Sequence, residues 1–437
     1  MAISGRFVIL LALGIVPLVV VGEPIALVGW LVLLVALIVL DLLLAGSPRR
    51  LQLSRQLPGP VRLGESVQAT LLVANPGKRR VHGIIRDAWQ PSANVLRSRH
   101  PLSVPAGERR AVTSTLTPFR RGERRSAHVT IRSFGPLHLA ARQASIHVPG
   151  SIQVLPPFNS RKHLPSRLAR LRELDGMTSV MLRGQGTEFD SLRDYVRGDD
   201  VRSIDWRATA RRSDPATNSQ KLVVRTWRPE RDRRDVIVVD SGRTSAARID
   251  NEPRIDTAFE SALLLAALAS KAGDRVDLVV YDRRVRGRVQ GASGPELLNR
   301  MVGAMAPIEP ELIEMDWSAV PGLVRSVTSQ RALVVLATSI DAPGASRGLL
   351  SVLPQLTKRH TVLVSAVVDP TVAGLTTQRG DSTEVYRAAA GERALLDLAR
   401  VSAAIRQSGG DVVTGAPADL PPALADRYIA LKAAGRL

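Results

Sequence analysis

The chain has 437 residues, enough for two or three domains with real cores. It contains no cysteine, which excludes structural disulfides, thiolate metal sites, iron–sulfur clusters and cysteine nucleophiles. The net charge of +20 comes from 60 Lys and Arg against 40 Asp and Glu, but only six of the basic residues are Lys and the Arg are spread along the whole chain, so the balance marks no nucleic-acid-binding face.

The first predicted elements are apolar. One run covers 7–21, Gly22-Glu23-Pro24 breaks it, and a second covers 25–44 and carries Asp41. At 1.5 Å per residue the second spans about 30 Å, the thickness of a hydrocarbon core, and the first about 22 Å, which a snorkelling Arg6 extends. Residues 1–46 therefore read as a two-helix transmembrane hairpin. A secretory signal peptide is the competing reading, but no A-x-A-like site follows the first run and the second begins at once. Arg6 precedes the hairpin, Arg49, Arg50 and Arg55 follow it, and the turn holds only Glu23. The positive-inside rule then gives a two-pass protein of the inner (plasma) membrane with both ends and the soluble domains in the cytoplasm. Asp41, close to the end of the second run, reads as an interfacial carboxylate.

From 47 to 157 the period changes. Stretches over 67–73, 81–86, 111–116, 128–132 and 144–148 are rich in Val, Ile, Thr and Leu, and turn clusters such as Asn75-Pro76-Gly77 and Gly135-Pro136 separate them. Short strands at this spacing predict a β-sandwich-like domain, a spacer or interaction module with no chemistry of its own.

Residues 158–233 form a linker and a polar core motif. Over 184–211 the chain reads G-Q-G-T-E-F-D-S-L-R-D-Y-V-R-G-D-D-V-R-S-I-D-W-R-A-T-A-R. Glu188, Asp199, Asp200 and Asp205, with Arg193, Arg202 and Arg211, could build a metal-dependent hydrolase site. The same residues could equally pair with one another as an architectural or partner-docking network, with Phe189, Leu192, Tyr195, Ile204 and Trp206 packing its apolar side. The second reading is preferred.

This string closely resembles the signature of the bacterial and archaeal family called domain of unknown function 58. The matching positions are Glu188, Phe189, Leu192, Arg193, Tyr195, Gly198, Asp199, Asp200, Arg202, Ile204, Asp205, Trp206, Ala208, Ala210 and Arg211. The hairpin, a late R-R-G and F-G-P-L in the β-rich segment, and the closing R-Y-I-A-L-K-A-A-G-R-L are similar to that family's layout as well. The resemblance implies a membrane-anchored protein with a von Willebrand factor A-like domain, frequently encoded beside a MoxR-type AAA+ ATPase.

Residues 234–437 agree with that implication. Strands over 235–239, 275–281, 331–337, 361–368 and 410–414 alternate with helices over 255–272 and 423–434, the pattern of an α/β doubly wound, mainly parallel sheet. Ligands of such sheets bind at the carboxyl ends of strands, where Asp240 lies. The resemblance implies a divalent cation there, held by D-x-S-x-S and by a later Thr and Asp. This chain reads Asp240-Ser241-Gly242-Arg243-Thr244, so the middle hydroxyl is lost to Gly242. Asp240, Thr244 and Asp341 remain as candidates for a degenerate metal-ion-dependent adhesion-type site for Mg²⁺. The alternative is an Asp240 that caps its loop through backbone N–H groups.

Neither G-x-x-x-x-G-K-[ST] nor G-x-S-x-G occurs, and aromatic residues are only 3%, too few for a base-stacking platform. The sequence is therefore read as a non-enzymatic membrane adaptor whose cytoplasmic A-like domain presents the Asp240 end to a protein partner, by resemblance a MoxR-type AAA+ ATPase. The rival is a membrane-bound, metal-dependent hydrolase using the Glu188–Asp205 carboxylates.

Overall fold

In the computed structural model the described residues are 2–21, 23–181, 188–196, 199–212, 222–228 and 233–437. They fall into two units, Met1–Pro157 and Phe158–Leu437.

The first unit begins with the short strand β1 (Ala2–Ile3) and the helices α1 (Gly5–Ala12), α2 (Ile15–Val21) and α3 (Pro24–Leu44). The run expected as one helix over 7–21 is thus two short ones. Gly14 donates its N–H to Leu11 O, while the Leu10 carbonyl accepts the Trp30 indole N–H at 3.1 Å. A Cβ at residue 14 would stand 2.5 Å from that indole, so glycine is what lets Trp30 reach the break. Among the described residues, α3 is the one helix long and apolar enough to cross a membrane. Its 21 residues rise about 31 Å and leave Ile25, Val28, Val32 and Val35 exposed.

The strands that follow are β2 (Gln52–Gln56), β3 (Val61–Arg62), β4 (Val67–Ala74), β5 (Val81–Trp89), β6 (Arg99–Val104), β7 (Arg109–Leu116), β8 (Gly122–Phe134) and β9 (Ala140–Leu155). One sheet runs β1-β9-β8-β5-β6 with β3 beside β9, and the other runs β2-β4-β7. Strict alternation in β5 turns Val81, Ile85 and Trp89 inward. Leu71 and Val73 of the second sheet meet Ile85, Val129 and Ile131 of the first in one core, as the β-rich pattern over 47–157 predicts.

Two charged residues of this unit have protein partners that the sequence did not reveal. Arg55, counted among the cytoplasmic basic residues, has a buried side chain that forms a bidentate pair with Asp87 at 2.7 and 2.8 Å, whereas Arg6, Arg49 and Arg50 are exposed. Asp41 is fully buried against the loop before β9. Its carboxylate accepts the N–H groups of Leu137 and Leu139, each at 2.8 Å, and of Ala140 at 3.1 Å. The same loop receives the start of the chain, because Ser4 donates to Leu139 O and Ala2 and Ile3 pair with Ala141 and Ala140.

The second unit opens with α4 (Leu164–Met181), the antiparallel pair of β10 (Glu188–Asp194) and, after α5 (Trp206–Arg212), β11 (Val223–Arg228). The α/β part then runs β12 (Arg234–Asp240), the two-residue pair β13 (Arg248–Ile249) and β14 (Glu252–Pro253), α6 (Arg254–Lys271), β15 (Arg275–Tyr281), β16 (Val285–Val289), α7 (Gly294–Met305), α8 (Val320–Val327), β17 (Ala332–Ala337), α9 (Arg347–Thr357), β18 (Thr361–Val367), α10 (Pro370–Leu375), α11 (Ser382–Gln407), β19 (Asp411–Gly415) and α12 (Leu420–Ala433). Sheet order is β16-β15-β12-β17-β18-β19, parallel except for β16. The central strands are continuous apolar runs because helices cover both faces. On one face α8 and α9 place Val324 and Leu353 against Val334 and Val364. On the other lies α6, buried nearly all round because α12 and α4 pack on it in turn.

Candidate functional site

The parallel register brings Asp240 at the end of β12 level with Tyr281 of β15, and β17 lies on its other side. The residues that follow these strand ends, Asp282 and Thr338, therefore flank it. Thr338 Oγ1 donates to Asp240 Oδ2 and the Gly242 N–H to Oδ1, both at 2.7 Å. Ser245 Oγ donates to the Asp240 carbonyl at 2.7 Å, so the inward hydroxyl of this loop is Ser245 rather than Thr244, which is half-buried. Ser241 Oγ donates to Asp282 Oδ2 at 3.1 Å, and the N–H groups of Arg283 and Arg284 reach Asp282 Oδ1 at 2.6 and 3.0 Å.

A later segment covers this cluster. Glu311 donates its N–H to Ser241 O, Arg243 to Ile313 O and Asp316 to Asp282 O, at 2.7–2.9 Å. Arg243 also pairs with Glu314 at 2.5 Å. Gly242 is required beneath it, since a Cβ there would lie 2.8 Å from Ile313 O and 3.0 Å from Asp240 Oδ1. Asp240 is left 3% exposed. Burial pushes its carboxyl above the usual range, against the bonds from Thr338 and Gly242, and the neighbouring Asp282 adds to the push. Burial acts on Asp282 in the same direction, but there the N–H groups of Arg283 and Arg284 prevail and hold it low.

These donors do not fit a divalent cation. Both Asp240 oxygens already accept protein hydrogen bonds, and the 311–316 segment fills the space above Gly242. Asp341 is engaged elsewhere, accepting from Ser339 Oγ at 3.0 Å and standing 3.4 Å from Arg254. Among the described residues no group of three or more His, Asp or Glu side chains could hold a metal. Of Asp240, Thr244 and Asp341, only Asp240 lies in the hydrogen-bonded cluster. Thr338, Ser245 and Asp282 were missed by the sequence reading. Their one visible signal was a polar residue just past an apolar strand in Y-D and A-T-S, or in the loop after Asp240.

In the core motif Asp199, Asp200 and Asp205 serve the chain's own structure. Asp199 accepts from Arg193 at 2.6 Å and from the Val196 N–H at 2.9 Å, and the bond to Asp199 raises the pKa of Arg193. Asp200 caps a short turn through the Arg202 N–H. Asp205 caps α5 through the Arg207 and Ala208 N–H groups, each at 3.0 Å, and accepts from Arg225 at 2.7 Å. The Ala208 N–H first, and then Arg225, hold its carboxyl below the usual range. Thr209 Oγ1 accepts the Val223 N–H, which seats α5 against β11. Tyr195 and Ile204 are half-buried, Arg202 and Arg211 exposed. The expected apolar packing fails at Trp206, which is 67% exposed, and at Leu192; Val196 and Val201 are exposed beside them in sequence. Gly198 lies outside the described residues, as do the side chains of Glu188 and Phe189.

Residues 191–408 match the family model described as "Protein of unknown function DUF58". Uncharacterized proteins of Mycobacterium tuberculosis and Mycobacterium bovis are each 25% identical over 255 residues, covering 56% of this chain and 77% of theirs. Among solved structures, a CARDB domain from Pyrococcus furiosus is similar at 16% identity, covering 24% of this chain and 91% of its own with a TM-score of 0.19. A human PapD-like domain covers 24% and 84% at 13% identity, with a TM-score of 0.18.

Proposed function

We propose that the chain is a non-enzymatic, membrane-anchored adaptor whose second unit captures a protein partner through the core motif. The observation that carries this reading is the split within the motif. Asp199 and Asp205 are spent on internal bonds and Asp200 caps a turn, so they are poorly disposed as a set of general bases or metal ligands, whereas Trp206, Val201, Val196 and Leu192 are offered to solvent. Exposed aromatic and aliphatic side chains on a polar frame suit a protein interface, and Trp is the residue most enriched at binding hot spots. The family resemblance supplies the class of partner, a MoxR-type AAA+ ATPase, acting in the maturation, assembly or stress protection of other proteins. The sheet order, with its antiparallel edge strand β16, supports a von Willebrand A-like reading of the second unit.

The membrane part is a two-pass hairpin in this reading. Both the chain start and the last turn of α3 bond to the loop around Leu139, so the apolar chain between them leaves that loop and returns to it. With Arg6, Arg49 and Arg50 at these ends, the β-rich unit sits on the cytoplasmic side of the inner membrane.

Crosslinked pull-down of the membrane-embedded protein, wild type beside Trp206→Ser/Val201→Ser, tests the adaptor reading. Both residues are exposed, so the variant should melt with the wild type. Wild type should retain an AAA+ ATPase and the variant at least tenfold less. Recovery of no ATPase by the wild type, or equal recovery by both, overturns the reading.

A further inference from the structure

The turn between β4 and β5 carries Lys78-Arg79-Arg80, well past the apolar segment in sequence. We infer that this turn, together with Arg49 and Arg50, binds the headgroup phosphate of anionic phospholipids around the end of α3. The inference rests on the membrane-anchored reading and deepens it, because it makes this end of the β-rich unit a lipid-selective surface.

Place is the first argument. In the antiparallel register Gln52, where the chain enters β2, faces Ala74 at the end of β4, so the turn that follows β4 lies beside the exit from α3. Two contacts fix it there. Arg79 donates a guanidinium N–H to the Leu43 carbonyl, one of the last-turn carbonyls that need a partner from outside the helix. Gly46 packs so closely on the turn that a Cβ there would lie 2.4 Å from Arg80 O. Leu43 and Leu44 remain exposed, so the basic side chains begin where the apolar surface of α3 ends. That is the depth of the headgroups when α3 spans the hydrocarbon core.

Charge is the second argument. Arg49, Arg50, Lys78, Arg79 and Arg80 are all exposed, and none forms an ion pair among the described residues. Of the carboxylates at this end, Asp41 is buried beneath three N–H groups, and Glu108, whose carbonyl accepts the Asn75 N–H, pairs with Arg110 at 2.6 Å. The five cations are left to an outside anion, and phosphate oxygens suit guanidinium and ammonium donors. The turn is also held in one shape. Asn75 is 2% exposed, its amide donates to the carbonyls of Arg79 and Val104 at 2.9 and 3.0 Å, and its Oδ1 accepts the Gly77 N–H at 3.1 Å. The three basic side chains therefore project from fixed points, which lowers the ordering cost of binding. Arg97 and Arg120 are exposed too, but they adjoin the opposite ends of β6 and β7, away from α3, and make a charge-matched control.

Calorimetric titration of the full chain in dodecyl maltoside micelles separates the outcomes, with dioctanoyl phosphatidylglycerol, dioctanoyl phosphatidylcholine and inorganic phosphate as probes. Phosphatidylglycerol should bind saturably, about tenfold more tightly than phosphatidylcholine, and more weakly as salt rises. Lys78→Gln/Arg80→Gln leaves the Arg79 contact in place and removes two side chains that make no hydrogen bond among the described residues. It should melt with the wild type and bind phosphatidylglycerol about tenfold more weakly. Arg97→Gln/Arg120→Gln should bind as the wild type does. Equal affinity for the two lipids, unchanged affinity in Lys78→Gln/Arg80→Gln, an equal loss in both double variants, or inorganic phosphate bound as tightly as phosphatidylglycerol overturns the inference. Carbonate extraction of the wild type from vesicles is measured alongside. Release into the soluble fraction overturns the anchored reading and the inference with it, whereas retained protein without a lipid preference overturns the headgroup site alone.

Discussion

Asp235 and Asp240 sit at opposite ends of the same strand and show how neighbours decide the state of a buried carboxyl. Asp240 has Thr338 and the Gly242 N–H as donors. Asp235 Oδ2 has no donor among the described residues, and the residue is only 2% exposed. Burial pushes its pKa well up and the negative Asp274 pushes further, with Lys432 and Arg233 opposing. Asp274 itself accepts from Tyr428 and, at 3.0 Å, from Lys432, while burial raises the Tyr428 hydroxyl. A carboxyl whose folded pKa exceeds its unfolded value binds more protons in the native state. Its stabilisation is complete below about pH 4 and is lost as pH rises through the folded value. Asp235→Asn removes that loss, so between pH 4 and pH 7 the variant should gain on the wild type by about 1–3 kcal/mol, at about 1.4 kcal/mol per pH unit over which the native wild type holds the extra proton. Thermal melting from pH 4 to pH 8 checks it: the wild type should lose stability relative to the variant as pH rises, and parallel curves would mean that Asp235 is ionised and well paired.

Among elements, the junction of α3 with the loop before β9 has the clearest sequence logic, and it was the least legible in advance. An Asp near the end of an apolar helix reads as interfacial by composition; only the fold reveals three N–H groups waiting for it. The F-G-P-L string is that socket. Gly135 has no room for a side chain, because a Cβ would lie 2.1 Å from Asp41 O and 2.2 Å from Asp41 Oδ1. Gly135→Ala must therefore part the helix from the loop and should destabilise the first unit by about 2–4 kcal/mol, the range for breaking buried polar contacts and packing together. Faster proteolytic cleavage near residue 135 in the variant, with the second unit intact, is the expected readout; unchanged cleavage would show that the socket tolerates the methyl. The strands of the central sheet were legible because burial on both faces leaves uninterrupted Val, Ile and Leu. Strand β16 was not, because V-R-G-R-V lies on an edge with its Arg side chains toward solvent or partners, and periodicity says little there. The break at Gly14 was equally hidden, since it depends on Trp30 in another helix. At the candidate site the sequence supplied Asp240 and the loss of a hydroxyl at Gly242, but the segment that takes up the space is some seventy residues away in the chain and has no motif.

For the whole molecule the question is which side of the membrane each part occupies, and the absence of cysteine makes it directly testable. After α3 no described helix is long and apolar enough to cross, and the proposed hairpin puts the chain that follows on the side of Arg49 and Arg50. The turn at Glu23 belongs on the other side if the hairpin crosses twice, and it is exposed. A chain with a single cysteine introduced as Glu23→Cys should react with a membrane-impermeant maleimide in intact spheroplasts. One carrying Glu314→Cys, on the exposed cover above Asp240, should react only after lysis. Labelling of Glu314→Cys in intact spheroplasts would put the second unit outside and remove any ATP-driven partner from its reach. If instead neither position reacts before lysis, α1 and α2 do not cross, and the anchor is a helix pair dipping into one leaflet with both units still inside. The adaptor reading survives that second outcome and not the first, because a cytoplasmic ATPase needs only the second unit on its own side of the bilayer.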